Sequence, residues 1–179
     1  MAKKDKYDSL SPFDGREVHV VVETPKGCRN KYKWEPKFGL FTLHKVLPAG
    51  MTFPLDFGFI PGTRAADGDP MDVLLLADEP TFTGCVVTAR LLGVLEAEQQ
   101  EKGEKSERND RVFAVSVTSH DHADLRKMKD VNGQARKELE QFFVNYNELD
   151  KRRFSVLGYR GRSTARELVE KGRRRGRKA

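Results

Sequence analysis

The chain has 179 residues with 37% hydrophobic and 34% charged side chains, enough for one domain with a real core but not for two. It has no run of 18 apolar residues, which excludes a helical membrane span, and residues 1–6 lead into no apolar segment, so no secretory signal is expected. The net charge of +6 is local: residues 171–179 carry six basic side chains and no acidic one, which leaves 27 basic against 27 acidic in the rest. Cys28 and Cys85 have no metal-ligand spacing and read as free thiols of a cytoplasmic protein.

Residues 1–15 read as a polar arm and residues 16–170 as the folded domain. Glu17–Thr24 is β-branched and strand-like, closed by Pro25 and Gly27. Residues 31–35 and 40–46 alternate and are joined by Lys37-Phe38-Gly39, a hairpin. Residues 47–63 hold three Pro and three Gly and read as ordered but irregular. A buried strand is expected over 72–77 and a long β segment over 84–96. The highly charged stretch 97–111 reads as a wet, mobile hairpin loop before a strand over 111–117. Apolar residues at helical spacing between Gln134 and Leu149 predict an amphipathic helix. A strand over 154–159 follows, then a last helix that Ser163 could cap. His120 and His122 flank Asp121, and a helix cap is preferred there over a metal site. Many short strands and two or three helices give a mainly β, α+β class: a small closed barrel with helices packed outside. Residues 171–179 are expected to be a disordered basic tail, with nucleic-acid binding through phosphate neutralisation as the alternative.

Chemistry concentrates in Asp67-Gly68-Asp69-Pro70-Met71-Asp72. Three carboxylates in six residues repel one another unless a cation sits between them. Gly68 and Pro70 make a tight turn, and the strand that follows fixes Asp72. Hard oxygen ligands on a rigid turn suit Mg²⁺ or Mn²⁺; the alternative is a solvated acidic turn. An EF-hand fits poorly, because Asp72 takes the position that needs Gly and an apolar strand follows. Glu23 ends a strand and could face the metal. Lys31 and Lys33 share a strand face, and Lys45 lies on the neighbouring strand. Metals with converging lysines are the requirement for handling a small polyanion by phosphoryl transfer.

The same acidic turn followed by a Val-Leu strand resembles the signature of the soluble family I inorganic pyrophosphatases. Val21-Val22-Glu23-Thr24-Pro25, Lys31-Tyr32, Phe53-Pro54, Gly58-Phe59-Ile60, Gly93-Val94-Leu95, Lys129-Asp130-Val131-Asn132 and Phe142-Phe143 with Tyr146 agree in register, over most of residues 15–160. The resemblance implies a five-stranded OB-like barrel hydrolysing inorganic diphosphate with several Mg²⁺ ions, usually as a homo-oligomer, hexameric in bacterial members. It implies that Asp67 and Asp72 hold the metal pair that generates hydroxide, that Asp69 is the base, and that Glu23 supports a peripheral metal. Lys31 and Tyr146 would bind phosphate oxygens. Departures cluster at the site: Lys33 stands where the family has a carboxylate, Lys45 where it has an arginine, Phe53 and Phe57 where it has tyrosines, and Asn147 where it has a lysine. In the 97–111 loop the family's two aspartates and lysine have Glu104, Asn109 or Asp110, and Arg111 as counterparts. Asn109 falls at the second ligand position unless a bulge brings in Asp110. A weakened diphosphatase is therefore expected, with a non-hydrolysing phosphoanhydride-binding paralogue or a hydrolase of a larger phosphoanhydride as alternatives.

Overall fold

The computed structural model describes residues 6–177. Ten strands and two α-helices follow in the order β1 (Phe13–Asp14), β2 (Glu17–Thr24), β3 (Asn30–Glu35), β4 (Leu40–Val46), β5 (Asp56–Ile60), β6 (Met71–Leu76), β7 (Val86–Glu101), β8 (Glu107–Arg108), β9 (Arg111–Ser116), α1 (Gly133–Glu148), β10 (Arg152–Gly161) and α2 (Arg162–Gly176). The main sheet runs β1-β2-β5-β6-β9-β7-β10, and an additional pairing of β2 with β7 joins its members into a ring of five strands. The ring is antiparallel except where β6 runs parallel to β9, with Val73 opposite Val112. β3 and β4 form a separate hairpin in which Lys33 faces Thr42. The mainly β reading with two flanking helices therefore holds.

Alternation along the strands fills the ring. Val18, Val20 and Val22 of β2, Ile60 of β5, Val73 and Leu75 of β6, Leu91 and Val94 of β7, and Val112 and Ala114 of β9 form one buried cluster, joined by Ala165 and Val169 of α2. Intervening positions such as Leu74, Leu95 and Phe113 pack outward with Leu139, Phe143 and Tyr146 of α1. α1 starts where the Asn132 side chain accepts hydrogen bonds from the backbone of Gln134 and Ala135, an N-cap that satisfies otherwise orphaned donors.

Five expectations are corrected. The stretch 97–111 is not one loop: β7 continues to Glu101, pairing with β10 and with the short β8. β5 lies inside the segment expected to be irregular, and all five of its residues are buried. α2 is capped by Gly161 with no side-chain hydrogen bond, so Ser163 is not its cap, and the helix runs to Gly176 through the segment expected to be a disordered tail. Arginine is a good helix former, which lets the basic run continue a helix already anchored by Ala165 and Val169. The His-Asp-His run caps no helix. There the acceptor is Asp78, which takes the backbone N–H groups of His120 at 2.7 Å and Asp121 at 3.1 Å.

Candidate active site

One open cavity of about 750 Å³ gathers the acidic turn, the inner ends of β2 and β3, the start of β9 and part of α1. Glu23, Lys31, Lys33, Asp67, Asp69, Asp72, Asp110, Arg111 and Tyr146 all line it. Lys45 and Glu104, expected at the site, do not. Lys45 donates to Asp150 at 2.8 Å and lies 4.1 Å from the centre of the Tyr146 ring, a layer behind the wall. Glu104 is exposed in the turn beyond the extended β7, which carries it away from the cavity.

Local chemistry explains how the acidic turn is held. Gly68 adopts φ +91, a left-handed conformation open to glycine. The Asp67 carboxylate accepts the Asp69 backbone N–H at 3.0 Å, an Asx turn. Ala65 donates to the Asp69 carbonyl at 2.7 Å. The buried Thr63 hydroxyl accepts the Met71 N–H at 3.1 Å while donating to Ile60 at 2.6 Å. The turn is rigid, but its three carboxylates do not close on one another. Asp69 points outward to Lys33, 3.3 Å away, Asp67 is exposed, and Asp72 sits on β6.

The electrostatics are uneven. Glu23 is 7% exposed and accepts the Trp34 N–H at 2.9 Å. Burial, with the nearby charge of Asp72, raises its pKa to about 7. Asp72 is raised as well, by burial first and then by Asp67 and Asp69, against the pull of Arg111 and Lys31. Arg111 is 4% exposed, its guanidinium 4.2 Å from the Phe143 ring centre, and its Nε has no hydrogen-bond partner among the described residues. Burial lowers its pKa. Lys31 Nζ stands 5.3 Å from the ring centres of both Phe57 and Tyr146. The cavity thus holds buried charges of both signs that are not hydrogen-bonded to each other, a costly arrangement for the protein alone.

Arg108 was not foreseen. It donates to Asp110 at 3.0 Å and to Glu96 at 3.1 Å, while Asp110 also accepts the Ala97 N–H at 3.1 Å. Asn109 donates its side-chain amide to Gln99 at 2.7 Å, so both candidates for the loop-ligand position already have protein partners. Only its place opposite an acid, two residues away, could have marked Arg108 in the sequence. Asn147 is buried and donates back to the Phe143 carbonyl at 2.8 Å, a helical role rather than a ligand contact. Lys171 and Arg175 of α2 also reach the cavity.

Among the described residues no three Asp, Glu, His or Cys side chains converge into a ready cage for a metal. That matches Mg²⁺, which one or two carboxylates hold together with waters and substrate phosphates rather than an all-protein shell. Asp67 and Asp72, with Glu23 behind them, supply such a donor set, and a cation there would relieve the raised Glu23 and Asp72. The residues fit the ion.

Comparisons with known proteins bear on the same site. A family model described as inorganic pyrophosphatase matches residues 20–177. An inorganic pyrophosphatase of Synechocystis is 34% identical over 153 residues, 86% of this chain and 88% of that protein. The crystal structure of inorganic pyrophosphatase from Thermus thermophilus superposes with a TM-score of 0.87 at 35% identity, covering 96% of this chain and 98% of that one. A structure from Neisseria gonorrhoeae gives 0.86 at 30% identity, covering 97% and 99%. With the ring of strands, the acidic turn and the match along nearly its whole length in agreement, this chain belongs to the inorganic pyrophosphatase family.

Proposed function

We propose that the chain is a Mg²⁺-dependent inorganic diphosphatase, hydrolysing diphosphate to two phosphates, with Mn²⁺ as an accepted substitute. The observation that carries this is the pairing of the Asp72 and Glu23 carboxylates with Arg111 and Lys31 in one cavity, where neither sign satisfies the other. Mg²⁺ held by Asp67 and Asp72, with Glu23 behind them, supplies Lewis acidity and neutralises phosphate charge.

The chain's own groups divide the rest. Lys31 and Arg111 bind phosphate oxygens, Arg111 through the fork whose Nε is unpartnered, and the Tyr146 hydroxyl orients the same anion. Asp69 takes the proton of the attacking water. Before substrate arrives its carboxylate is held by Lys33; a phosphate oxygen that draws Lys33 away frees Asp69 to act. Asp110 joins the metal only by giving up Arg108, so it is an auxiliary ligand.

Several contacts support turnover slower than the site's acids alone would give. Lys45 is spent on Asp150, Asn109 on Gln99, and Phe53 and Phe57 pack at a tilt against each other without hydroxyls. The free thiols Cys28 and Cys85 support a cytoplasmic setting, and no helix among the described residues is long and apolar enough to cross a membrane. Exposed Phe38, Leu40 and Leu43 on the β3–β4 hairpin support a homo-oligomer.

The test is phosphate release from diphosphate across Mg²⁺ and Mn²⁺ concentrations, with Asp69→Asn as control. Metal-dependent release that the substitution abolishes is expected. Tight diphosphate binding with no release above the control would instead make the chain a phosphoanhydride-binding paralogue.

A further inference from the structure

The cavity extends beyond the acidic turn to α2, and the reason is two glycines. Gly172 and Gly176 are four apart and share a helix face. A Cβ on Gly172 would stand 2.6 Å from Met71 Sδ and 3.2 Å from Thr63 Cβ; one on Gly176 would stand 2.8 Å from the Gly62 carbonyl oxygen. The Gly172 carbonyl accepts the Arg64 N–H at 3.0 Å. α2 is thereby seated directly on the segment that enters the acidic turn, and Lys171 and Arg175, again four apart, line the cavity beside it.

Cations around the cavity fall into two groups. Lys33 is paired with Asp69, Arg64 with Asp8, and Arg108 with Asp110 and Glu96. Lys171 and Arg175 make no ion pair among the described residues and are exposed, whereas on the same helix Arg173 is paired with Glu170. Lys31 and Arg111 are the corresponding unpaired pair on the inner side. Two cation pairs without ion-pair partners among the described residues therefore line the same cavity as the acidic turn, one from β3 and β9 and one from α2, in a space of the size that takes drug-sized ligands and larger than two phosphates require.

We propose that Lys171 and Arg175 form an outer anion subsite that holds the distal phosphate of a linear phosphoanhydride longer than diphosphate, with inorganic triphosphate the smallest member. The inference rests on the diphosphatase reading only for what occupies the inner pair. An ordered basic helix bearing on the cavity, rather than a free tail, is what separates this ligand from nucleic acid, whose backbone would need an open stripe of charge.

The full chain carrying Asp69→Asn, to slow turnover, is titrated calorimetrically with inorganic diphosphate and with inorganic triphosphate at one fixed magnesium concentration. The measurement is repeated after adding Lys171→Ala with Arg175→Ala, and Lys171→Gln with Arg175→Gln to keep helix propensity. Triphosphate is expected to bind about tenfold more tightly than diphosphate, as charge-assisted contacts allow. Both double variants are expected to erase that preference while leaving diphosphate affinity within about twofold. No preference in the parent, or a preference that survives both variants, overturns the subsite while leaving the diphosphatase reading intact. Equal weakening of both ligands also overturns it, as a general field effect. Triphosphate binding that depends on the pair in a chain blind to diphosphate would uphold the subsite and sink the diphosphatase reading. Duplex DNA binding lost in the same variants, without a triphosphate preference, would assign the pair to nucleic acid instead.

Discussion

The two walls of the cavity carry similar acids and treat them in opposite ways. On the wall built by β2 and β6, burial raises both Glu23 and Asp72, Asp72 adds to the shift of Glu23, and Asp67 and Asp69 add to that of Asp72; Arg111 and Lys31, which pull the other way, make no ion pair with them among the described residues. On the wall built by the outer part of β7 and β8, Asp110 holds Arg108, which is held from outside the cavity by Glu96, itself also paired with Arg160. The second wall is electrostatically closed, and the first has charges that an added ion or ligand would settle. Ligand chemistry belongs where the protein leaves its own charges unsettled.

The largest expected effect lies in the acidic turn that leads into the unsettled wall. Asp69→Asn should lower kcat by about 10²–10⁴, the usual range for loss of a positioned base, with KM for diphosphate little changed in steady-state assays. A matching loss from Asp110→Asn would break the contrast, because that residue belongs to the closed wall; it should cost less than about tenfold.

Glu23 sharpens the contrast through pH. Its carboxyl ionises near 4.5 in the unfolded chain and at about 7 when folded. Stability from this group is thus complete below 4.5 and is lost as pH rises through 7. In chelator, Glu23→Gln, which can still accept the Trp34 N–H, should unfold at higher urea than the parent at pH 8, by up to about 3 kcal/mol. The difference should vanish near pH 4, and added Mg²⁺ should reverse it by stabilising only the parent.

Smaller effects test the closed wall. Arg108→Met frees Asp110 and should tighten Mg²⁺ binding, read as a lower metal concentration for half-maximal rate. Smallest of all, Lys33→Ala should change thermal stability by less than about 1 kcal/mol, since the side chains of the Lys33–Asp69 pair are 48% and 65% exposed.

How far the sequence carried can be judged residue by residue. β2 was legible as a β-branched run closed by Pro25 and Gly27, β3 and β4 as alternating segments about a turn with Gly39, β6 as an apolar run after the acidic turn, and α1 because Leu139, Phe143 and Tyr146 repeat at helical spacing. β5 was hidden: both faces are buried, so Asp56–Ile60 shows no alternation, and Pro54, Pro61 and Gly62 made it look irregular. The end of β7 was hidden for the opposite reason, since Glu98–Glu101 are polar on both faces and owe their strand to β10 and β8 rather than to burial. At the site, the acidic turn, Lys31 and Tyr146 came from spacing and resemblance. Arg108 and the α2 residues did not, because their positions depend on long-range seating that leaves only weak traces, such as Gly172 and Gly176 amid a basic run.

The ring closure has a kinetic consequence. β2 pairs with β7, Val18 meeting Ala89, and the parallel β6–β9 pair forms only after β7 has been laid between them in sequence. A chain emerging from synthesis can pair β2 with β5, Val21 opposite Phe59, but Val18 and Val20 lack their partners Ala89 and Val87 until β7 exists. Assembly should accordingly be late and all at once, in the millisecond-to-second regime of β-rich topologies, with the unclosed edge of β2 the place where a stalled chain would stick to others.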